Sequence, residues 1–103
     1  MRHIAFEGTC WVLNCGTALH TTMIPPSFPN RDRFFGDQWL RNGDSALINP
    51  TGTIVAGPLH RAYGILYAEC PPDPITAMRR RLDVAGHYGR PDVFRFEVNP
   101  TRQ

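Results

Sequence analysis

The sequence predicts an α+β fold, because strand signals and one helix signal follow each other along the chain. An apolar run at residues 10–15 is rich in residues that favour strands and lies between two glycines. A turn motif at residues 49–52 joins two further apolar runs and predicts a β-hairpin. A capped amphipathic helix is predicted to begin at Asp73. With 103 residues, the chain holds one domain at most.

Composition and charge exclude several classes of protein. The formal net charge of +2 is too small for a dedicated nucleic-acid binder. No apolar run is long enough to cross a bilayer, so we expect neither nucleic acid nor a membrane as a partner. All eleven basic residues are Arg. Without Lys, the chain cannot supply the amine of a Schiff base, a catalytic ammonium or a P-loop.

The N-terminal residues predict the end of a helix followed by a strand. Residues 1–7 carry no helix start signal and stop at Gly8, so we expect further chain to precede Met1. The continuous apolar run at residues 10–15 is typical of a parallel strand that is buried on both faces. Such a strand needs neighbours, and the rest of the chain offers few of them.

A long irregular loop is predicted next, over residues 17–43. Three prolines interrupt any regular element in it, and so long a loop in a compact domain usually binds something or packs at an interface. Its anchors are predicted to be Phe34, Phe35, Trp39 and Leu40.

The clearest local signal is a type I turn at residues 49–52, where Asn, Pro and Gly occupy the first, second and fourth positions. The turn joins strands at residues 45–48 and 53–56 into a hairpin. A third strand at residues 64–69 is predicted to complete an antiparallel meander.

The last elements are a helix and an extended tail. Asp73 is predicted to cap the helix, Pro74 to occupy its first position and Gly86 to end it. Three consecutive arginines, residues 79–81, favour a solvated helix face or an oligomer contact over a nucleic-acid patch. The alternating residues that follow predict an extended tail over residues 93–103.

Cysteine and histidine spacing predicts neither a disulfide nor a metal site. Three cysteines without framework spacing indicate free thiols and a cytoplasmic location. The spacing of Cys10 and Cys15 is not that of a zinc knuckle. The four histidines are scattered, which favours structural or solvated roles over metal ligation.

Six blocks of the sequence are typical of one family: residues 1–8, 10–13, 49–52, 55–59, 64–69 and 83–94. The last block contains Gly-His-Tyr-x-Arg-Pro-Asp after an Arg-rich helix, which is hard to obtain by chance. On these blocks the chain resembles the C-terminal third of a nitrilase, in the carbon–nitrogen hydrolase superfamily. The resemblance covers nearly all of the chain, and the Pro-rich residues 17–37 depart most from the family.

The resemblance implies a fold and a chemistry. It implies part of an α-β-β-α sandwich, with residues 1–103 as the C-terminal portion of a nitrilase domain. Nitrilases hydrolyse a nitrile to a carboxylic acid and ammonia without a metal or an organic cofactor. A Cys thiolate attacks the nitrile carbon, a Glu acts as general base, and a Lys stabilises the developing negative charge. Water then hydrolyses the acyl-enzyme.

Those catalytic roles do not carry over to this chain. It has no Lys, and the catalytic Glu of the family belongs to an N-terminal segment. The family's nucleophile lies in a Gly-x-x-x-Cys-Trp-Glu context, whereas Val12 follows Cys10 and Trp11 here. We therefore expect no catalytic residue in this chain and a structural role for Cys10 and Cys70.

Two groups of residues remain as candidates. The family's pocket lies near the end of the 10–15 strand, so the resemblance implies that Asn14 and Cys15 line it. His87, Arg90 and Asp92 are expected to form a structural corner or interface that pins the tail. An acid–base cluster is the alternative for these three.

Three functions follow as hypotheses. The first is an inert C-terminal part of a nitrilase, which would act on a nitrile only in a full-length context. Its partners would be a nitrilase N-terminal part or further copies in a homo-oligomer. The second is a free-standing interaction module that binds an intact nitrilase or pairs with itself. The third is a small independent hydrolase that uses Cys10 or Cys15.

Overall fold

An antiparallel sheet of four strands lies at the middle of the structure, a computed structural model that describes residues 1–34 and 36–101. Its strands are β1 (Val12–Asn14), β2 (Ala18–His20), β3 (Trp39–Ile48) and β4 (Ile54–His60). Every other strand pairs antiparallel with β3, which is the longest. The sheet therefore depends on one central strand of ten residues.

β1 and β2 are two parts of one interrupted strand. Asn14 lies opposite Ala46 and Ala18 lies opposite Asn42, so four residues separate the pairs on both sides and the register continues across the break. β4 occupies the other edge of β3. The pairing of Trp39 with His20 begins β3 inside the predicted loop, which shortens the irregular segment to residues 21–38. One predicted anchor of that loop, Phe35, lies outside the described residues.

The prediction of a parallel strand buried on both faces is wrong. β1 spans only residues 12–14, is antiparallel to β3 and pairs with it along one edge. The Leu13 side chain is 70% exposed. A local apolar run indicates that a strand is suited to burial. Whether the strand is buried depends on covering layers from elsewhere in the fold.

The predicted turn is confirmed, and it supports the first helix. Gly52 N–H donates to Asn49 O at 2.9 Å, and Asn49 Oδ1 accepts from the N–H groups of Thr51 and Thr53. Helix α1 (Arg2–Glu7) ends at Gly8, as predicted. Arg2 Nε donates to Gly52 O at 2.7 Å. This contact fixes the six-residue helix, which is too short to be stable alone, against the hairpin.

The third strand of the predicted meander does not form. Residues 64–69 pair with no strand within the described part of the chain, and Ile65 and Tyr67 are 75% and 81% exposed. The sheet instead has three strand positions side by side. They are the interrupted strand formed by β1 and β2, the central strand β3, and β4. Strand-forming residues alone do not secure a partner, because pairing is decided by the long-range arrangement of the edges.

Helix α2 spans Asp73–Arg79 and is shorter than predicted. Asp73 is its first helical residue rather than its cap, and its side chain makes no capping hydrogen bond. Beyond it, Asp83 Oδ1 accepts from Gly86 N–H, and Asp83 O accepts from His87 N–H. An Asp that binds nearby backbone donors favours turns over helix, which explains why the helix does not reach Gly86.

Little of the apolar surface is buried. The buried apolar side chains among the described residues include Ala5, Ala46, Ile48 and Met78, whereas Phe94 and Phe96 in the tail are largely exposed. The radius of gyration is 19.9 Å, against about 13 Å for a compact chain of this length. No helix within residues 1–34 and 36–101 is long and apolar enough to cross a membrane.

We expect Asn49→Ala to destabilise the chain by about 1–2 kcal/mol, because Oδ1 is the acceptor for three donors in the turn. Chemical denaturation measures the effect. Thr51→Val is the matched control, since it replaces the hydroxyl that donates to Oδ1 at 2.7 Å and that lies 3.1 Å from the Thr53 hydroxyl, and leaves both N–H bonds in place. Equal losses in the two variants would contradict this account of the turn.

Candidate functional site

Hydrogen bonds to β3 hold the break between β1 and β2 in place. Gly16 lies between the two strands, and its N–H donates to Ser45 Oγ at 2.9 Å. The same Ser45 hydroxyl donates to Gly16 O at 3.2 Å. Asn14 Nδ2 donates to Asp44 O at 2.9 Å. These three bonds replace the strand pairing that the break removes, and we call the segment of residues 14–16 and 43–45 the strand break.

Only glycine fits at the centre of the strand break. A Cβ on Gly16 would lie 1.7 Å from Gly43 O, which is far inside van der Waals contact. Both atoms belong to main chains, so a side chain here would force the strands apart. The absence of a Cβ is therefore what lets the chain run so close to β3 at this point.

Asp44 is an extra residue on β3 relative to β4. Gly43 lies opposite His60 and Ser45 lies opposite Leu59, which leaves Asp44 as a bulge. Its φ of +61° is in the left-handed region, which Asp tolerates better than most residues. The bulge turns its side chain toward His60, and Asp44 Oδ1 lies 2.6 Å from His60 Nδ1.

Beside the strand break is an apolar groove of about 270 Å³. It brings together the two predicted pocket residues, Asn14 and Cys15, whose role in binding stays a prediction. The full lining is Leu13, Asn14, Cys15, Ser45, Ala46, Leu47, Gly64, Ile65 and Leu66. Most of these side chains are apolar, so the groove suits the hydrocarbon part of a small molecule or a covering segment of protein.

The groove lacks the partners that would activate a nucleophile. The Cys15 thiol is exposed, and within the described residues it makes no hydrogen bond to a histidine or a carboxylate. Nucleophilic catalysis by a cysteine needs a base or a cation nearby that favours the thiolate. No three His, Cys, Asp or Glu side chains in residues 1–34 and 36–101 are grouped to hold a metal ion. This geometry can bind and orient a small molecule.

The two other cysteines lie away from the groove. Cys10 is half-buried two residues before β1, where its N–H donates to Ala5 O. Cys70 is exposed in the segment before α2. Both are free thiols.

His87, Arg90 and Asp92 are only partly brought together. Arg90 Nε and Nη2 donate to the two carboxylate oxygens of Asp92, at 2.7 and 2.6 Å. These bonds hold the pKa of the Asp92 carboxyl below its ordinary value. His87 has a different neighbour, with Nδ1 3.9 Å from Asp83 Oδ2. None of the three lines the groove, and their role at an interface stays a prediction.

The sequence reasoning missed the contribution of β3 to the site. Asp44, Ser45 and His60 support the groove, yet none of them was a candidate, and His60 was expected to be structural or solvated. The available signal was Gly43, because a glycine within a strand pattern often marks a bulge or a close backbone approach. The site forms only when three strands pair, so the glycine alone does not locate it.

Comparison with known proteins assigns the chain to a family. The family model for carbon–nitrogen hydrolases matches residues 1–80, which includes the whole sheet and the strand break. The chain therefore belongs to the carbon–nitrogen hydrolase family.

Individual relatives extend the match. An aliphatic nitrilase from Sinorhizobium fredii is 40% identical over 99 residues, which cover 96% of this chain and 32% of that protein. An arylacetonitrilase from Trametes versicolor is 37% identical, with 95% and 31% coverage. The chain thus spans about a third of the length of the first curated relatives it matches. A nitrilase-like protein of Saccharomyces cerevisiae differs in size: it is 36% identical, and the match covers 92% of it.

We expect Gly16→Ala to destabilise the chain by about 3 kcal/mol, because the new Cβ would separate the strand break and weaken its three hydrogen bonds. Gly64→Ala is the matched control in the same groove. Its Cβ would meet only Leu59 side-chain atoms, at 3.4 Å, so we expect little change. Chemical denaturation of both variants measures the difference. A Gly16→Ala variant as stable as Gly64→Ala would contradict the close approach.

Proposed function

We propose that this chain is the C-terminal portion of a nitrilase-type hydrolase domain and is inactive alone. The observation that carries the proposal is the match of 96% of this chain to about a third of an aliphatic nitrilase. The missing two thirds would supply the Cys, Glu and Lys that the resemblance implies for catalysis. The absence of Lys from the sequence supports this division of labour.

In the complete domain, the reaction would be hydrolysis of a nitrile to a carboxylic acid and ammonia. The thiolate of the missing part would add to the nitrile carbon while a fixed cation stabilises the negative charge that develops. One water would release ammonia and leave an acyl-enzyme, and a second water would release the acid. The role of this chain would be to line the pocket with Asn14 and Cys15 and to support it through the strand break.

The exposed apolar surface supports a portion of a larger domain. Leu13 and Ile65 line the groove, and both are exposed to the extent of 70% or more. Isolated domains seldom leave such a surface in water, because each exposed apolar side chain forgoes about 1.5–3 kcal/mol of burial. A preceding part of the domain that packs over β1 and residues 64–69 would bury both.

Two further features belong to the proposal. The extended tail would serve contacts between copies in a homo-oligomer. The location would be the cytoplasm, since the three cysteines are free and reducing compartments preserve free thiols.

A second candidate is a non-catalytic interaction module. The nitrilase-like protein of Saccharomyces cerevisiae favours it, because nearly all of that protein corresponds to this chain. In this reading the exposed edges of the sheet bind an intact nitrilase or a second copy. An independent hydrolase that uses Cys10 or Cys15 has less support, since neither thiol has a base beside it in the described residues.

A fusion experiment tests the proposal. This chain replaces the last third of the aliphatic nitrilase of Sinorhizobium fredii, and ammonia release is measured on a panel of nitriles for the fusion and for the isolated chain. We expect turnover by the fusion and none by the isolated chain. A Cys15→Ser variant of the fusion should keep turnover with a changed KM, because Cys15 lines the pocket and is not the nucleophile.

Two results would contradict the proposal. Ammonia release by the isolated chain that Cys15→Ala or Cys10→Ala abolishes would establish the independent hydrolase. A fusion that folds but never turns over, together with tight binding of the isolated chain to the intact nitrilase in size-exclusion chromatography, would favour the interaction module.

A further inference from the structure

We propose that a basic depression at the end of α2 binds a phosphate-type dianion. The depression has a volume of about 280 Å³ and is lined by Arg79, Arg80, Arg81, Asp83, His87 and Tyr88. It is separate from the groove at Cys15 and from the sheet. Nitrile hydrolysis gives it no role, so the inference goes beyond the proposed function.

Two successive turns build the depression. α2 ends at Arg79, and the N–H groups of Arg81 and Leu82 both donate to Met78 O. Asp83 O then accepts from the N–H groups of His87 and Tyr88, at 3.0 and 3.2 Å. The second turn folds these two side chains back beside the arginines, so residues up to nine positions apart share one surface.

The three guanidinium groups are available to a ligand. Within residues 1–34 and 36–101, the side chains of Arg79, Arg80 and Arg81 have no hydrogen-bond or ion-pair partner. Five other arginines donate to an oxygen of the chain: Arg2, Arg31, Arg61, Arg90 and Arg95. A trio of unpaired guanidiniums that share one depression is therefore a local feature and not a property of every arginine here.

Charge selects the class of ligand. The depression contains one carboxylate, Asp83, and its Oδ1 is occupied by Gly86 N–H at 2.9 Å. Three guanidiniums and one carboxylate leave a net charge of +2 in the depression, equal to that of the whole chain. The positive charge of the protein is thus concentrated at this place, where a dianion would neutralise it.

Among dianions, the donors favour a phosphate monoester or inorganic phosphate. Guanidinium groups bind two phosphate oxygens at once in a planar fork, which Lys cannot do. Tyr88 and His87 also line the depression, and the Tyr88 hydroxyl can add a further donor. A single carboxylate would satisfy only half of this charge, and a phosphodiester carries one negative charge per phosphate.

Nuclear magnetic resonance titration of the purified chain tests the inference at constant ionic strength. The probes are inorganic phosphate, phenyl phosphate, a dinucleotide as phosphodiester, and acetate. We expect saturable shifts of the Gly86, His87 and Tyr88 amides with the first two probes and much weaker shifts with the others. Arg80→Gln should weaken phosphate binding by about three- to tenfold, as expected for one charge-assisted contact at an exposed site.

Arg41→Gln is the matched control. Arg41 is exposed on β3, has no side-chain partner in the described part of the chain, and lies outside the depression, so its loss changes the net charge equally. We expect phosphate affinity to be nearly unchanged. Equal weakening by both variants, equal binding of acetate or of the dinucleotide, or the absence of saturation would each overturn the proposal. None of these results depends on nitrile turnover, so they do not bear on the proposed function.

Discussion

The close approach of Gly16 to Gly43 is the constraint on which the rest of the structure depends. It lets the first strand of the sheet break and continue in the same register along β3. Main-chain atoms of Gly43 lie opposite Gly16, so a Cβ on Gly16 could not be accommodated by moving a side chain. The hydrogen bonds of Ser45 and Asn14 then hold the break closed, and the exposed Cys15 is left beside the groove.

With β3 as the central strand, several strand edges and apolar side chains are left without a covering layer in the described part of the chain. β3 is paired along both edges. Among the described residues, no strand pairs with the outer edge of β1 or of β4, and residues 64–69 pair with neither. Apolar side chains on β1 and in residues 64–69 are exposed, and the radius of gyration of 19.9 Å is larger than that of a compact chain of this length. The chain belongs to the carbon–nitrogen hydrolase family and spans about a third of the length of its nitrilase relatives. The proposal that it is one portion of a nitrilase domain gives a single physical reason for the unpaired edges and the exposed apolar side chains. In the proposed nitrilase domain, the layers that cover the central strand would come from the part of the domain outside this chain.

Local signals predicted the parts of the fold that local interactions determine. The turn at residues 49–52 and the helix end at Gly8 rest on hydrogen bonds between near neighbours, and the structure contains both. The prediction failed where distant residues decide. Trp39 joins a strand because His20 lies opposite it, whereas residues 64–69 pair with no strand in the described part of the chain although their composition favours one. The helix after Asp73 stops early because an Asp ten residues on binds its own neighbours. The family resemblance pointed to Asn14 and Cys15, whose role in binding stays a prediction, whereas the bulge at Asp44 can be found only from the register of β4.

Hydrogen–deuterium exchange of the isolated chain, measured residue by residue, tests the central claim most directly. If β3 is the one strand on which the structure depends, its amides at residues 45–48 exchange most slowly. The amides of residues 64–69 and of the tail after residue 94 then exchange at nearly the rate of an unfolded chain. Protection of residues 64–69 equal to that of β3 would contradict the account, because it would mean that this segment is a strand of a complete sheet.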